Sequence, residues 1–139
     1  MNAEILFSIL NTAILPAWFL LIVLPRWHWT KFLVTSGAYS GLFAIAYTIL
    51  IFLFFTQAQG DFTTLSGVRA LFAQPYLLVA GWVHYLAFDL LVGSWILKDA
   101  QERKIKHTWI IPSLVMTLMF GPLGWGSYRV LRLVNTRLR

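Results

Sequence analysis

Four long apolar stretches dominate this 139-residue chain, each near or above the ~18–20 residues that a helix needs to cross a bilayer. They cover about 3–24, 32–56, 75–97 and 108–130. Hydrocarbon cannot satisfy a backbone N–H or C=O, so each stretch is expected to close its own hydrogen bonds as an α-helix. The expected fold class is all-α: a polytopic membrane protein, a four-transmembrane-helix bundle forming one domain over 1–139. Charged residues are only 12% of the chain and hydrophobic ones 59%, against about 25% charged in soluble domains. A formal charge of +6 raises the question of nucleic acid. The basic residues flank apolar blocks, however, so they read as membrane-edge charges, with no nucleic-acid partner. The first stretch carries Glu4 where a signal peptide has basic residues, and it is expected to be a retained span.

Prolines 16, 112 and 122 lie inside apolar stretches and predict kinks, whereas Pro75 stands where a helix can start. The connections are PRWHWTK (25–31), a longer segment over 57–74 and the charged KDAQERKIKH (98–107). Part of the second, 66–74, fits a short interfacial helix. Trp27, Trp95 and Trp109 are expected at one membrane face, with Trp125 near the other. Four crossings place both termini on one face. That face then holds Arg69, Arg129, Arg132, Arg137 and Arg139, against Arg26, Lys31, Lys98, Arg103, Lys104 and Lys106 opposite. Charge alone barely orients such a chain, although the first hairpin favours a cytoplasmic basic loop. Gly37 and Gly41, spaced as GxxxG, predict close helix packing.

The informative residues are the polar ones deep in the stretches. Asp89 lies roughly 12 Å from the nearer end of the third one, where a carboxylate costs at least ~2.5–3.5 kcal/mol. It must face protein, be neutral, or have a partner. His84 is five residues earlier, its side chain rotated about 140° away, and Tyr85 is one turn from Asp89. Depth counting yields two expected polar tiers. One joins Asn11 and His84 beside the FGPLG break (120–124), where either supplies a donor to the carbonyl near Leu118. The other joins Asp89 with Tyr39, Ser40 and Thr117. The absence of cysteine excludes disulfides, zinc ribbons and thiol chemistry. One histidine within the spans is too few for zinc or bis-histidine haem, and no phosphate loop or GxSxG occurs. No metal and no cofactor are expected. What remains is acid–base chemistry on an apolar molecule.

The segments LNTAILPAW (10–18), GWVHYLAFDLLVG (81–93) and FGPLG, in that order, resemble the abscisic-acid-deficient-four-like family of small membrane proteins. Plant members of that family are needed to make neoxanthin from violaxanthin. The resemblance implies a cofactor-free isomerisation of an epoxy-carotenoid, with Asp89 and His84 as catalytic acid and base. It further implies Asn11, Tyr39, Tyr85, Phe88 and Trp82 as contacts to a carotenoid-like ligand. A non-enzymatic binder of carotenoid, polyene or quinone, or an assembly subunit, fits the same residues. A homo-oligomer remains open. Without the long leader of plastid members, the implied location is a bacterial inner membrane or a thylakoid-type membrane.

Overall fold

The computed structural model describes residues 2–137, with side chains through Asn135. The described residues are helical apart from their connections and contain no strand. Four helical segments are long and apolar enough to cross a membrane, so the chain is an integral membrane protein of the all-α class.

The first segment is two helices, α1 (Ala3–Ala13) and α2 (Leu15–Val23), which meet at Ile14. Pro16 has no N–H to give, and the next amide, Ala17, bonds Ile14 instead of Ala13. The Ala13 carbonyl is thereby freed. A π-helical segment, Thr30–Thr35, follows and ends at a turn before α3 (Ala38–Phe54). The second apolar block is thus not one continuous helix. Gly37 makes the turn with φ of 86°, and a methyl group at Gly41 would meet nothing within 4 Å. The expected GxxxG packing is corrected: Gly37 serves backbone shape, and Gly41 lies open. Beyond α3 and a 3-10 turn (Phe55–Gln57), α4 (Leu65–Ala73) is the short helix expected before the third span.

The third segment, α5 (Pro75–Glu102), is the central post and touches α1, α2, α3, α4 and α6. Its apolar window is 56% buried, against 17–33% in the other three. Pro75 stands in its first turn, and the Gln74 side chain caps the Leu77 N–H. It continues five residues past the apolar block, through Lys98–Glu102, because these residues are good helix formers that reach water.

The fourth segment, α6 (His107–Arg137), leaves helical geometry at Phe120 (φ −146°, ψ 45°) and Gly121 (φ 6°, ψ −76°). Pro122 then restarts a helix from its first turn, where a missing N–H costs nothing. The two arms, 107–119 and 122–137, lie side by side. Ser127 donates to Ser113 at 2.9 Å, although fourteen residues of straight helix would separate them by about 21 Å. A methyl group on Gly124 would overlap the Thr117 backbone, so glycine is what permits this approach. The return arm comes back up α5, where Tyr128 donates to Asp99 at 2.5 Å and Arg132 pairs with Asp99 at 3.5 Å.

This fold-back redistributes charge. Arg132 joins Arg103 around Asp99, at the end of the molecule that also holds Arg26, Lys31, Lys104 and Lys106. The even division of cations expected for a straight fourth helix is corrected accordingly, and so is the placing of both termini on one face: the fourth segment reverses at Phe120–Gly121 and its return arm comes back to the Asp99 end. Trp125 sits about one turn beyond the hairpin tip rather than at the far interface. The expected positions of Arg137 and Arg139 fall outside the described side chains.

Candidate functional site

The hairpin tip meets the middle of α5. Counting from the short connection, Asp89 lies 13 residues before the end of α5, and Phe120 lies 13 residues after the start of α6. The antiparallel register therefore brings Asp89 to the break. A Cβ at Gly121 would collide with the Asp89 carboxyl, so only glycine lets the turn pass over it. Asp89 is 7% exposed, and its Oδ2 is buried with no hydrogen-bond partner. The carboxyl faces protein, beside the N-terminus of the return arm, where the helix dipole favours negative charge.

Trp82, Tyr85 and Asp89 follow the i, i+3, i+7 spacing of one helix face. Tyr85 donates its hydroxyl to the Met119 carbonyl at 2.9 Å, one of those that the break frees. Its ring stacks on Trp82 with centroids 5.3 Å apart. Trp82 in turn donates Nε1–H to Asn11 Oδ1 at 3.0 Å and lies 5.7 Å from the Phe7 ring. Below Trp82 an apolar cavity of about 300 Å³ opens between α1 and α5, walled by Phe7, Pro75 and Leu78. Because the hairpin turns back at Asp89, it leaves the lower half of this face uncovered. The result is a lateral groove that ends at Trp82; Tyr85 and Asp89 continue the same helix face for about 10 Å beyond it, to the hairpin tip where Met119 and Phe120 are exposed.

The expected polar tiers are rearranged. The donor at the FGPLG break is Tyr85, not His84 or Asn11, and the residue beside Gly121 is Asp89. The depth count had taken helix ends from hydropathy, whereas the α5–α6 connection fixes the register. His84 occupies the other side of α5, 5.3 Å from the Tyr47 ring and 4.6 Å from Phe88. It lines a separate apolar cavity of about 260 Å³ with Tyr47, Phe72 and Leu77. Asp89 and His84 therefore do not share a cavity, and Phe88 goes with His84. Thr117 bonds the Ser113 carbonyl within its own arm. Ser40 is buried with an unpartnered Oγ. Tyr39 donates to Ala13 O at 2.5 Å, the carbonyl released at the α1–α2 break. Two of the nominated tyrosines thus cap helix interruptions next to Pro16 and Pro122. The sequence marks Gly121 and Gly124 as a break but not the reversal they permit; its signal is the Gly-Pro dipeptide, which marks a turn more often than a bend.

No group of three or more His, Asp or Glu among the described residues is arranged to hold a metal ion. A buried carboxyl at the tip of a folded-back helix, on the same helix face as an aromatic cavity, defines a small polytopic membrane protein with an intramembrane polar centre. The sequence profile described as ABA DEFICIENT 4-like matches residues 5–128, and the chain belongs to this ABA4-like family. The chloroplastic protein ABA DEFICIENT 4 of Arabidopsis thaliana is 25% identical over 140 residues, an alignment covering 95% of this chain and 62% of that protein. The chain thus spans about 62% of the length of that relative. No solved structure matches it.

Proposed function

We propose that this protein binds an elongated apolar polyene of the carotenoid class in the α1–α5 groove and isomerises its epoxide end group. The observation that carries this reading is the buried, unpartnered Asp89 Oδ2, about 10 Å beyond Trp82 on the helix face that lines that groove. A buried acceptor without a donor costs free energy in the empty protein, and a bound polar end group would relieve it. The groove suits a rod: Phe7, Trp82 and Leu78 offer apolar surface, while Trp82 and Tyr85 present flat ring faces to a conjugated chain. The family relationship supports the carotenoid class, and the chloroplastic relative supports a thylakoid-type membrane.

The chemistry asks only for a proton shift. Asp89 takes the C7 proton, the released pair closes the C6=C7 bond of the allene, and the C6–O bond of the epoxide opens. Tyr85, one turn away, protonates the departing oxygen, which stays on C5 as the alcohol. The Asp89 proton then returns to the phenolate, so substrate and product have the same composition. No redox partner takes part. His84, across α5, stands outside this sequence of steps.

The test is expression in cells that accumulate violaxanthin, with pigments separated by chromatography. The expected result is a neoxanthin-type product that disappears in D89N and persists in H84Q, at equal protein levels. Pigment that co-purifies unchanged with the wild type would leave binding and remove the isomerase; neither pigment nor product would remove both.

A further inference from the structure

At the basic end of the molecule, a third cavity of about 440 Å³ lies between the α2–π connection, the end of α5 and the start of α6. It belongs to neither the α1–α5 groove nor the His84 cavity. Arg26 and Lys31 line one side and Lys104 and Lys106 the other, and no carboxylate is among its lining residues. The nearby acid, Asp99, is already engaged by Tyr128, Arg103 and Arg132. Arg26, Lys31 and Lys106 thus bring like charges to one cavity, over a buried apolar floor made by Leu97 and Ile110.

Two local features give this cavity the character of an anion site. The first is Lys104, the one described non-glycine residue with positive φ, at 54°. Its N–H bonds the Gln101 carbonyl and the Ile105 N–H bonds the Ala100 carbonyl, which is the helix-ending motif that ordinarily places glycine at the lysine's position. A side chain kept where glycine is easier is retained at a conformational cost. The second is His107, the first residue of α6. Its Nε2 bonds the Ile22 carbonyl at 2.8 Å, and since a carbonyl only accepts, Nε2 carries the proton. Its Nδ1 is buried and unpartnered, and the residue stands at a helix N-terminus, where an anion is favoured.

We infer that this cavity binds a phosphate group at the membrane surface, carried by the headgroup of an anionic lipid. The lipid source follows from the half-exposed Trp27 and Trp109 at the same end, which mark the interface where headgroups lie. The crowding of cations here assigns this end to the cytoplasmic side under the positive-inside rule, where anionic headgroups are attracted by basic clusters.

The experiment uses the full chain in mild detergent, with phosphatidylglycerol, phosphatidylcholine, inorganic phosphate and glycerol phosphate as separate probes. Native mass spectrometry reads retained lipid and thermal melting reads stabilisation. Phosphatidylglycerol should be retained under collision energies that strip phosphatidylcholine, and it alone should raise the melting temperature. R26Q/K31Q/K106Q should weaken its retention roughly 100-fold, about fivefold per cation removed. The charge-preserving R26K/K31R/K106R should retain it, and so should K98Q, which removes a cation outside the cavity. Equal retention of the two lipids overturns the inference, as does undiminished phosphatidylglycerol retention in the glutamine variant. Stabilisation by inorganic phosphate without any by phosphatidylglycerol overturns the lipid source. If the glutamine variant does not fold, loss of retention in the folded R26Q or K106Q single variants relative to K98Q decides the matter.

Discussion

The fold-back of α6 is open to a direct chemical test, because the chain has no cysteine of its own. Ser113 Oγ and Ser127 Oγ are 2.9 Å apart, and the variant S113C/S127C would carry the sole thiol pair. In a straight helix the two positions are about 21 Å apart, while a disulfide requires Cα atoms within about 7 Å. The crosslink is therefore possible in one geometry and impossible in the other. Closing a loop of about 15 residues stabilises by about 3 kcal/mol in the chain-entropy account. Losing the serine–serine hydrogen bond gives back about 1 kcal/mol, which leaves about 2 kcal/mol. At roughly 2–4 °C per kcal/mol, the oxidised variant should melt about 4–8 °C above the wild-type protein in detergent, and further above its own reduced form. The assay is mass spectrometry with and without reductant, followed by thermal melting of each form. Two thiols that label fully after denaturation, yet never pair under oxidant in the folded protein, would refute the hairpin and with it the placement of Asp89 at a tip.

Replacing Tyr128 by Phe removes the buried hydroxyl that donates to Asp99. A hydrogen bond to a charged acceptor contributes about 1.5–3 kcal/mol, so Y128F should lower the melting temperature and expose the return arm to protease; an unchanged melt and digest would show that this bond does not hold the arm. On the opposite side, Asp61 precedes α4 and accepts from the Thr63 hydroxyl and N–H and from the Thr64 N–H. These bonds, those of Thr63 foremost, hold its carboxyl below the usual range. The sign follows from that depression: the loop's order is complete above the ordinary carboxyl value of about 3.9 and is lost as pH falls through the lowered one. Amide exchange at Thr63 and Thr64 should quicken, beyond its intrinsic pH trend, at the acid end of the range. D61N should remove that transition, and a flat corrected profile in the wild type would contradict the assignment.

Much of the architecture is legible along the chain because a bilayer imposes a one-dimensional rule. Helix length and apolarity located all four segments, and the cost of a charge in hydrocarbon singled out Asp89 as facing protein. Proline chemistry located the interruptions near 14 and 121. The partners were less legible. Tyr39 and Ala13 are 26 positions apart, and Tyr85 and Met119 are 34 apart, so their meeting depends on turns and helix rotations that hydropathy does not encode. Depth counting placed His84 at the FGPLG break because it measured from the edges of apolar composition. The helices run past those edges, and α5 extends to Glu102.

The sequence by itself determined that this chain lives in a membrane, that it is helical, and that a carboxyl in its third apolar stretch must be sheltered. These are consequences of solvation and hydrogen bonding that hold residue by residue. Tertiary structure alone decided that the fourth stretch doubles back, that Tyr85 rather than His84 reaches the carbonyl freed at its break, and that a cavity remains below Trp82. Those outcomes turn on backbone dihedrals at Phe120 and Gly121 and on the absence of side-chain atoms at Gly121 and Gly124. The dihedral angles of two residues redirect the sixteen that follow, and no property of those residues taken singly records the direction.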